Sequence, residues 1–189
     1  IWLMVVKTET TEIITEPKVQ QHVQPSLKRW FKHFFYMPAS KRYFSKQDQN
    51  AIAEAVKQAE QGHIGEIQVV IEGYIPSSLA YTQNTRLRAQ QLFAELGVWD
   101  TEQNSGVLLY LNLCEQKVEV VIDRGINKAT EQSEWQAICD LIVAELKKKN
   151  YRAGVMLGVT EIGLILNRYY DNQVIDVENE LSNRPIILN

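Results

Sequence analysis

Apolar residues recur along this chain in two rhythms, one helical and one of strands, and their alternation predicts the fold. Ser45 with Asp48 three positions later reads as a helix start, Ile52, Val56 and Ala59 follow at helical spacing, and Gly62 supplies a stop. Glu66 to Ile71 is rich in β-branched residues between Gly65 and Gly73 and predicts a strand. Pro76, Ser77 and Ser78 read as a loop, and a helix is expected over Thr85 to Leu96, with Leu87, Phe93 and Leu96 as its apolar face and Gly97 as its cap. Val107 to Leu113 is apolar on both alternating faces, as in a central strand covered on both sides, and Glu115-Gln116 turns the chain into a second strand over Lys117 to Ile122.

Two amphipathic helices follow. Trp135, Ile138, Ile142 and Leu146 mark the first, which closes on Lys147 to Lys149, where positive charge suits the helix dipole. Val155, Val159, Ile162, Leu166 and Tyr169 mark the second, and Gly154, Gly158 and Gly163 allow close packing at some cost in helix propensity. The pattern predicts an α/β protein, a three-layer α/β/α sandwich around a small mixed sheet. Its organisation reads as a polar arm over residues 1–25, a basic aromatic segment over 26–44, the α/β/α body over 45–170, and a tail over 171–189 that docks through Ile186-Ile187-Leu188. Within the arm, Ile1 to Val6 is apolar but short and is read as a remnant or cut end outside the fold.

Charge narrows the function classes. A net charge of −3 excludes a generic nucleic-acid binder. Two cysteines, Cys114 and Cys139, make neither a CxxC motif nor a disulfide framework, and Cys139 shares a helical side with Trp135 and Ile142, which places it in the core. No apolar run reaches the roughly 20 residues of a membrane helix, and no signal peptide is visible, so a cytoplasmic, at most membrane-peripheral, location is expected.

The candidate chemistry lies at Asp100-Thr101-Glu102-Gln103-Asn104-Ser105-Gly106, where oxygen side chains alternate on one short loop. Asp100, Glu102 and Asn104 imitate the first ligands of a calcium loop, but the imitation stops at Ser105 and Leu111, where an EF-hand has Gly and a bidentate Glu. A cation would need Asp123, Glu66, backbone carbonyls or water in addition. The plainer reading is a polar loop bonded to its own backbone. Asp123-Arg124-Gly125 could serve phosphate chemistry, with Arg124 as a planar fork for phosphate oxygens and Asp123 as base or ligand. His63 is read as a hydrogen-bonded bystander, His22 and His33 as weaker candidates still, and Arg86 and Arg88 as partners of Glu95 and other acids.

These stretches together resemble the TPM domain family. The resemblance rests on Glu60-Gln61-Gly62-His63-Ile64-Gly65-Glu66-Ile67, Arg88-Ala89 with Phe93, Val98 through Leu108, and Val118 through Ile126, with Trp135 and Cys139 downstream. It covers about Phe44 to Tyr170. Some members of that family are described as acid phosphatases and some as binders of calcium or other metals. The resemblance therefore implies a compact α/β/α sandwich, a divalent cation, calcium, at Asp100, Glu102, Asn104, Asp123 and Glu66, and weak phosphatase activity. Two departures stand out: Ser105 where the family usually has Asn, and Cys114-Glu115-Gln116 in place of an Ala-Asp-Arg-like turn.

The alternative is a non-enzymatic interaction module. Between Ser26 and Lys46 lie Lys28, Arg29, Lys32, Lys41, Arg42 and Lys46 with no acidic residue, and Trp30, Phe31, Phe34 and Phe35 share one helical stripe. That is the pattern of a helix docking a protein partner or a membrane surface. The competing expectation is that the stripe covers one face of the body, since exposed aromatics reduce solubility.

Overall fold

The computed structural model describes residues 11–13, 23–36, 43–170 and 179–188. Its strands are β1 (Thr11–Ile13), β2 (Glu66–Glu72), β3 (Gly106–Asn112), β4 (Lys117–Ile122) and β5 (Ile186–Leu188), in one sheet of order β1-β4-β3-β2-β5. β2 and β3 run parallel, in register from Glu66 opposite Gly106 to Glu72 opposite Asn112. β3 and β4 form an antiparallel hairpin, and the two short edge strands lie parallel to their neighbours.

The described helices are α1 (Leu27–Phe34), α2 (Lys46–Ala59), α3 (Ser77–Ala80), α4 (Thr85–Glu95), α5 (Arg124–Ala129), α6 (Gln132–Lys147) and α7 (Tyr151–Tyr170). Alternation along the strands sorts the core into two layers. Ile67, Val69 and Ile71, with Val107, Leu109, Leu111, Val118, Val120 and Ile122, face α2, α6 and α7. Val70, Leu108, Tyr110 and Val121 face Ala89, Leu92 and Phe93 of α4. This is the three-layer arrangement expected, with the central strands wholly buried.

Local chemistry accounts for the joints. Ser45 and Asp48 form the reciprocal capping box of α2. A Cβ on Gly163 would meet the carbonyl oxygen and Cβ of Ala59, each at 2.8 Å, so a glycine there lets α7 cross α2 in contact. No helix among the described residues is long and apolar enough to cross a membrane.

The structure corrects several expectations. Thr11–Ile13, read as part of a loose polar arm, pairs with β4; a three-residue edge strand is held by its partner's backbone groups and needs no apolar period of its own. Ser77 to Ala80 is a short helix rather than loop, and Arg124 to Ala129, assigned no element, is another. The buried face of α4 is Thr85, Arg88, Ala89, Leu92 and Phe93, with Leu96 packed half-buried at its border and Leu87 half-buried outside it, because the strands beneath present carboxylates as well as apolar side chains. The aromatic stripe of α1 does not cover the body: Phe31, Phe34 and Phe35 are exposed, and His33 takes the buried position.

Candidate functional site

The loop between α4 and β3 is built around a close approach of two backbones. Gly97 ends α4 with φ 69°, and a Cβ on Gly106 would lie 1.9 Å from the Val98 carbonyl oxygen, so only glycine can open β3 there. Ser105 is fully buried; its N–H donates to Thr101 Oγ1 at 2.9 Å and its hydroxyl donates to the Ile64 carbonyl at 2.7 Å. That bond tethers the loop to the start of β2. Asn104 turns the chain with φ 53°, a conformation Asn tolerates better than most residues.

Asp123 meets this loop from the other side. Its N–H donates to the Gly106 carbonyl at 3.0 Å, and its Oδ1 accepts the Arg124 N–H at 2.6 Å as the N-cap of α5. Its Oδ2 is buried with no hydrogen-bond partner. Burial pushes the Asp123 carboxyl up, against the opposing pull of the Arg124 N–H and charge. The next contact is backbone on backbone: Gly125 N–H donates to the Asn104 carbonyl at 3.2 Å, and a Cβ there would meet the Asn104 and Gln103 carbonyl oxygens at 2.5 and 3.0 Å. The loop's carbonyls and the Asp123 carboxylate thus share one end of the sheet, as the sequence predicted.

The other candidate ligands are distributed differently. Asp100, Glu102 and Asn104 are exposed at the loop's surface, as is Arg124. Glu66 is buried and turns to the tail, accepting the Leu181 N–H at 3.2 Å and the Glu180 N–H at 3.4 Å. Burial raises its pKa, with the Glu180 charge adding to the effect against those two hydrogen bonds. The Glu180 carboxylate in turn accepts the Glu102 N–H at 3.1 and 3.2 Å. Glu66 and Asp123 flank Gly106 on the two neighbouring strands, roughly 9–10 Å apart at the backbone by strand spacing, and the Val98 carbonyl sits over that glycine. The structure therefore brings Asp123 to the loop and Glu66 to the tail. His63 is held as a bystander, with Nε2 at 2.7 Å from the Ala59 carbonyl and Nδ1 accepting the Gly65 N–H at 3.0 Å, and burial lowers its pKa.

A model of the TPM domain matches residues 39–164, well over half of the chain. The chain belongs to the TPM domain family. Among solved structures, this TPM domain is similar to the BA42 protein of the psychrophilic bacterium Bizionia argentinensis at 25% identity and a TM-score of 0.67, covering 76% of this chain and 94% of that one. It also shares its fold with the N-terminal domain of a P. gingivalis protein, at 18% identity and a TM-score of 0.59, covering 71% and 83% of the two chains. No curated protein matches.

The opposite end of the sheet, where β2 and β3 finish, holds polar chemistry that sequence reasoning missed. Glu72 is fully buried and receives Arg88 Nε and Nη2 at 3.0 and 2.8 Å on Oε1, and the Tyr110 hydroxyl at 2.6 Å on Oε2. Asn112 Nδ2 donates to Tyr110 Oη at 2.9 Å, and the Thr85 hydroxyl donates to buried Glu119 at 2.5 Å. The available signal was polar side chains at Glu72, Asn112 and Glu119, all in strands rich in apolar residues. Arg88 also lies 3.8 Å from Glu95, so the ion-pair expectation for it holds.

Beside this network, His33 Nε2, Cys114 Sγ and a Glu115 oxygen lie within 4.8 Å of one another, the spacing of a metal-ligand trio and the one such group among the described residues. Its hydrogen bonds point away from metal binding. His33 Nδ1 accepts the Ile75 N–H at 3.0 Å, which puts the neutral ring's proton on Nε2, whereas ligating histidines normally donate through the second nitrogen. Nε2 faces Glu115 Oε1 at 3.1 Å, and Lys32 Nζ already holds Oε2 at 2.9 Å. Burial pushes Glu115 up, but His33 and Lys32 outweigh it and hold the carboxyl at about 2. Burial drives the Cys114 thiol up to about 12, so it stays protonated. In this TPM domain the trio is a latch that ties α1 to the β3–β4 turn.

Proposed function

We propose that this TPM domain binds a divalent cation, calcium, where the loop of residues 100–105 meets Asp123, and that the same end carries weak phosphatase activity. The observation that supports this reading is Asp123 Oδ2, a buried carboxylate oxygen without a hydrogen bond, two residues before Gly125, which packs against the Gln103 and Asn104 carbonyls. A buried carboxylate oxygen without a hydrogen bond is costly, and a hard cation relieves that cost. Calcium takes six to eight oxygens. Asp123 and the loop backbone would supply the inner ones, and the exposed side chains of Asp100, Glu102 and Asn104 the outer ones. Glu66 would join only if Leu181 and Glu180 withdrew from it.

For phosphate chemistry, exposed Arg124 would orient the phosphoryl oxygens as a planar fork. The cation would supply Lewis-acid polarisation of the phosphoryl group. Asp123 would hold its place through its N-cap bond to α5.

The test is the thermal midpoint of metal-stripped protein with and without calcium, magnesium or manganese. A ligand at about 100 times its Kd stabilises the folded state by about 2.7 kcal/mol, which is a rise of several degrees for a domain of this size. Calcium should give that rise, Asp123→Asn should abolish it, and Asp100→Ala should reduce it. An undiminished rise in Asp123→Asn removes this site; no rise with any cation removes the cation reading. Calcium-dependent hydrolysis of p-nitrophenyl phosphate, with KM raised in Arg124→Ala, tests the phosphatase part.

A second reading, an interaction module docking through residues 26–44, is favoured by the outward aromatics of α1.

A further inference from the structure

We propose that α1 is a membrane-docking element whose aromatic face enters the interface of an anionic lipid bilayer; this rests on the interaction-module reading and names its partner. The helix is fixed to the body by one side only. Arg29 donates from Nε to the Ala80 carbonyl at 2.6 Å and from Nη2 to the Tyr81 carbonyl at 2.9 Å, while His33 is held through Ile75 and the Glu115 latch. On a helix turning about 100° per residue, Leu27, Phe31, Phe34 and Phe35 fall in the sector opposite those two. They are 64%, 50%, 55% and 69% exposed.

The rings are already ordered against one another. Trp30 stacks on Phe34 at 5.0 Å and meets Phe31 edge-on at 4.8 Å, and Phe34 meets Phe35 edge-on at 5.1 Å. The result is a convex apolar ridge, preformed, so little side-chain entropy is lost on docking. At about 150–250 Å² per aromatic side chain, the exposed part is on the order of 400 Å², a size that marks interaction surfaces.

Charge selects the partner. Residues 26–46 carry six Lys or Arg and no Asp or Glu, in a chain whose net charge is −3. Lys28 is exposed beside the ridge, and Lys32, one turn on, keeps a 39% exposed side chain although its ammonium is paired with Glu115. A second copy of the chain would set the same lysines against one another. An anionic bilayer offers an apolar interior beneath a negative surface, which matches aromatic anchors with flanking lysines.

The experiment is co-sedimentation of the full chain with phosphatidylcholine vesicles, with and without phosphatidylserine, alongside its sedimentation velocity in solution. Binding should need phosphatidylserine, weaken with salt, and fall at least about tenfold in Phe31→Ser/Phe34→Ser, while the thermal midpoint stays put because both side chains are exposed. Binding that survives this double substitution overturns insertion and leaves surface adsorption. No vesicle binding, with a wild-type dimer that the double substitution dissolves, overturns the lipid partner but keeps the interaction module. No vesicle binding and no self-association overturns the lipid partner and a second copy alike.

Discussion

Arg88 grips Glu72 through two nitrogens at 3.0 and 2.8 Å, in the interior between α4 and the sheet. Neither charge can be removed alone without stranding the other, and the Tyr110 hydroxyl shares the same carboxylate.

Arg88→Met should therefore destabilise the protein by about 3–5 kcal/mol, the usual cost of leaving a buried charge uncompensated. The double variant Arg88→Met/Glu72→Leu should recover much of that loss, because it removes both charges. Urea denaturation of the single and double variants measures the coupling; equal losses in both would mean that the pair does not act as a unit.

This pair also marks where sequence reading stops. Helical period and β-branched runs made α2, α4, α6, α7 and the three central strands legible, since each buries apolar side chains at its own spacing, though Thr85 and Arg88 interrupt the stripe of α4. Asp123 and its neighbouring loop were legible because a strand end and a polar loop with glycines leave few alternatives. The Glu72–Arg88 pair, the His33 latch and the turn of Glu66 toward Leu181 join residues far apart in sequence, and no local period records them. The aromatic stripe of α1 was legible as a stripe, but its direction was set by Arg29 and His33, whose partners lie on other elements.

Glu60 should give the protein a falling stability from weakly acidic to mildly basic pH. Burial first, then the charge of Glu66, raise its carboxyl from the ordinary 4.5 to about 8, despite the Ile67 N–H donated to Oε1. Between those values the folded state holds a proton that the unfolded state has lost, so stability decreases as pH rises. Glu60→Gln keeps an acceptor for Ile67 and removes the titration. Its stability measured from pH 4.5 to pH 8 should be flatter than that of the parent, and the gap should widen in its favour toward the basic end.

Glu115 should act with the opposite sign. Its carboxyl is held at about 2, below the ordinary 4.5, so it contributes stability above 4.5 that is lost as pH falls toward 2. Glu115→Ala should remove that acid limb and loosen α1, read as faster hydrogen exchange of the amides of Leu27 to Phe34, with the sheet amides unchanged.

Gly106→Ala should be severely destabilising, because the new methyl group would lie 1.9 Å from the Val98 carbonyl oxygen and backbone cannot swing aside as a side chain would. A loss above about 3 kcal/mol is expected, in the upper range for single substitutions. Gly97→Ala, where a Cβ meets nothing within 4 Å but φ is 69°, should cost less, about 1–2 kcal/mol. Thermal unfolding of the two variants side by side separates collision from backbone strain.

The sheet's two outermost strands come from segments distant from the body in sequence, Thr11–Ile13 against β4 and Ile186–Leu188 against β2. Both fall outside residues 39–164, the stretch that carries the family likeness. A fragment trimmed to that stretch would lose the core side chains of Ile165, Leu166 and Tyr170 and leave two bare rows of amide and carbonyl groups, ready to recruit strands from other molecules. For this protein, the minimal unit that is recognisable and the minimal unit that is well behaved are different lengths of chain.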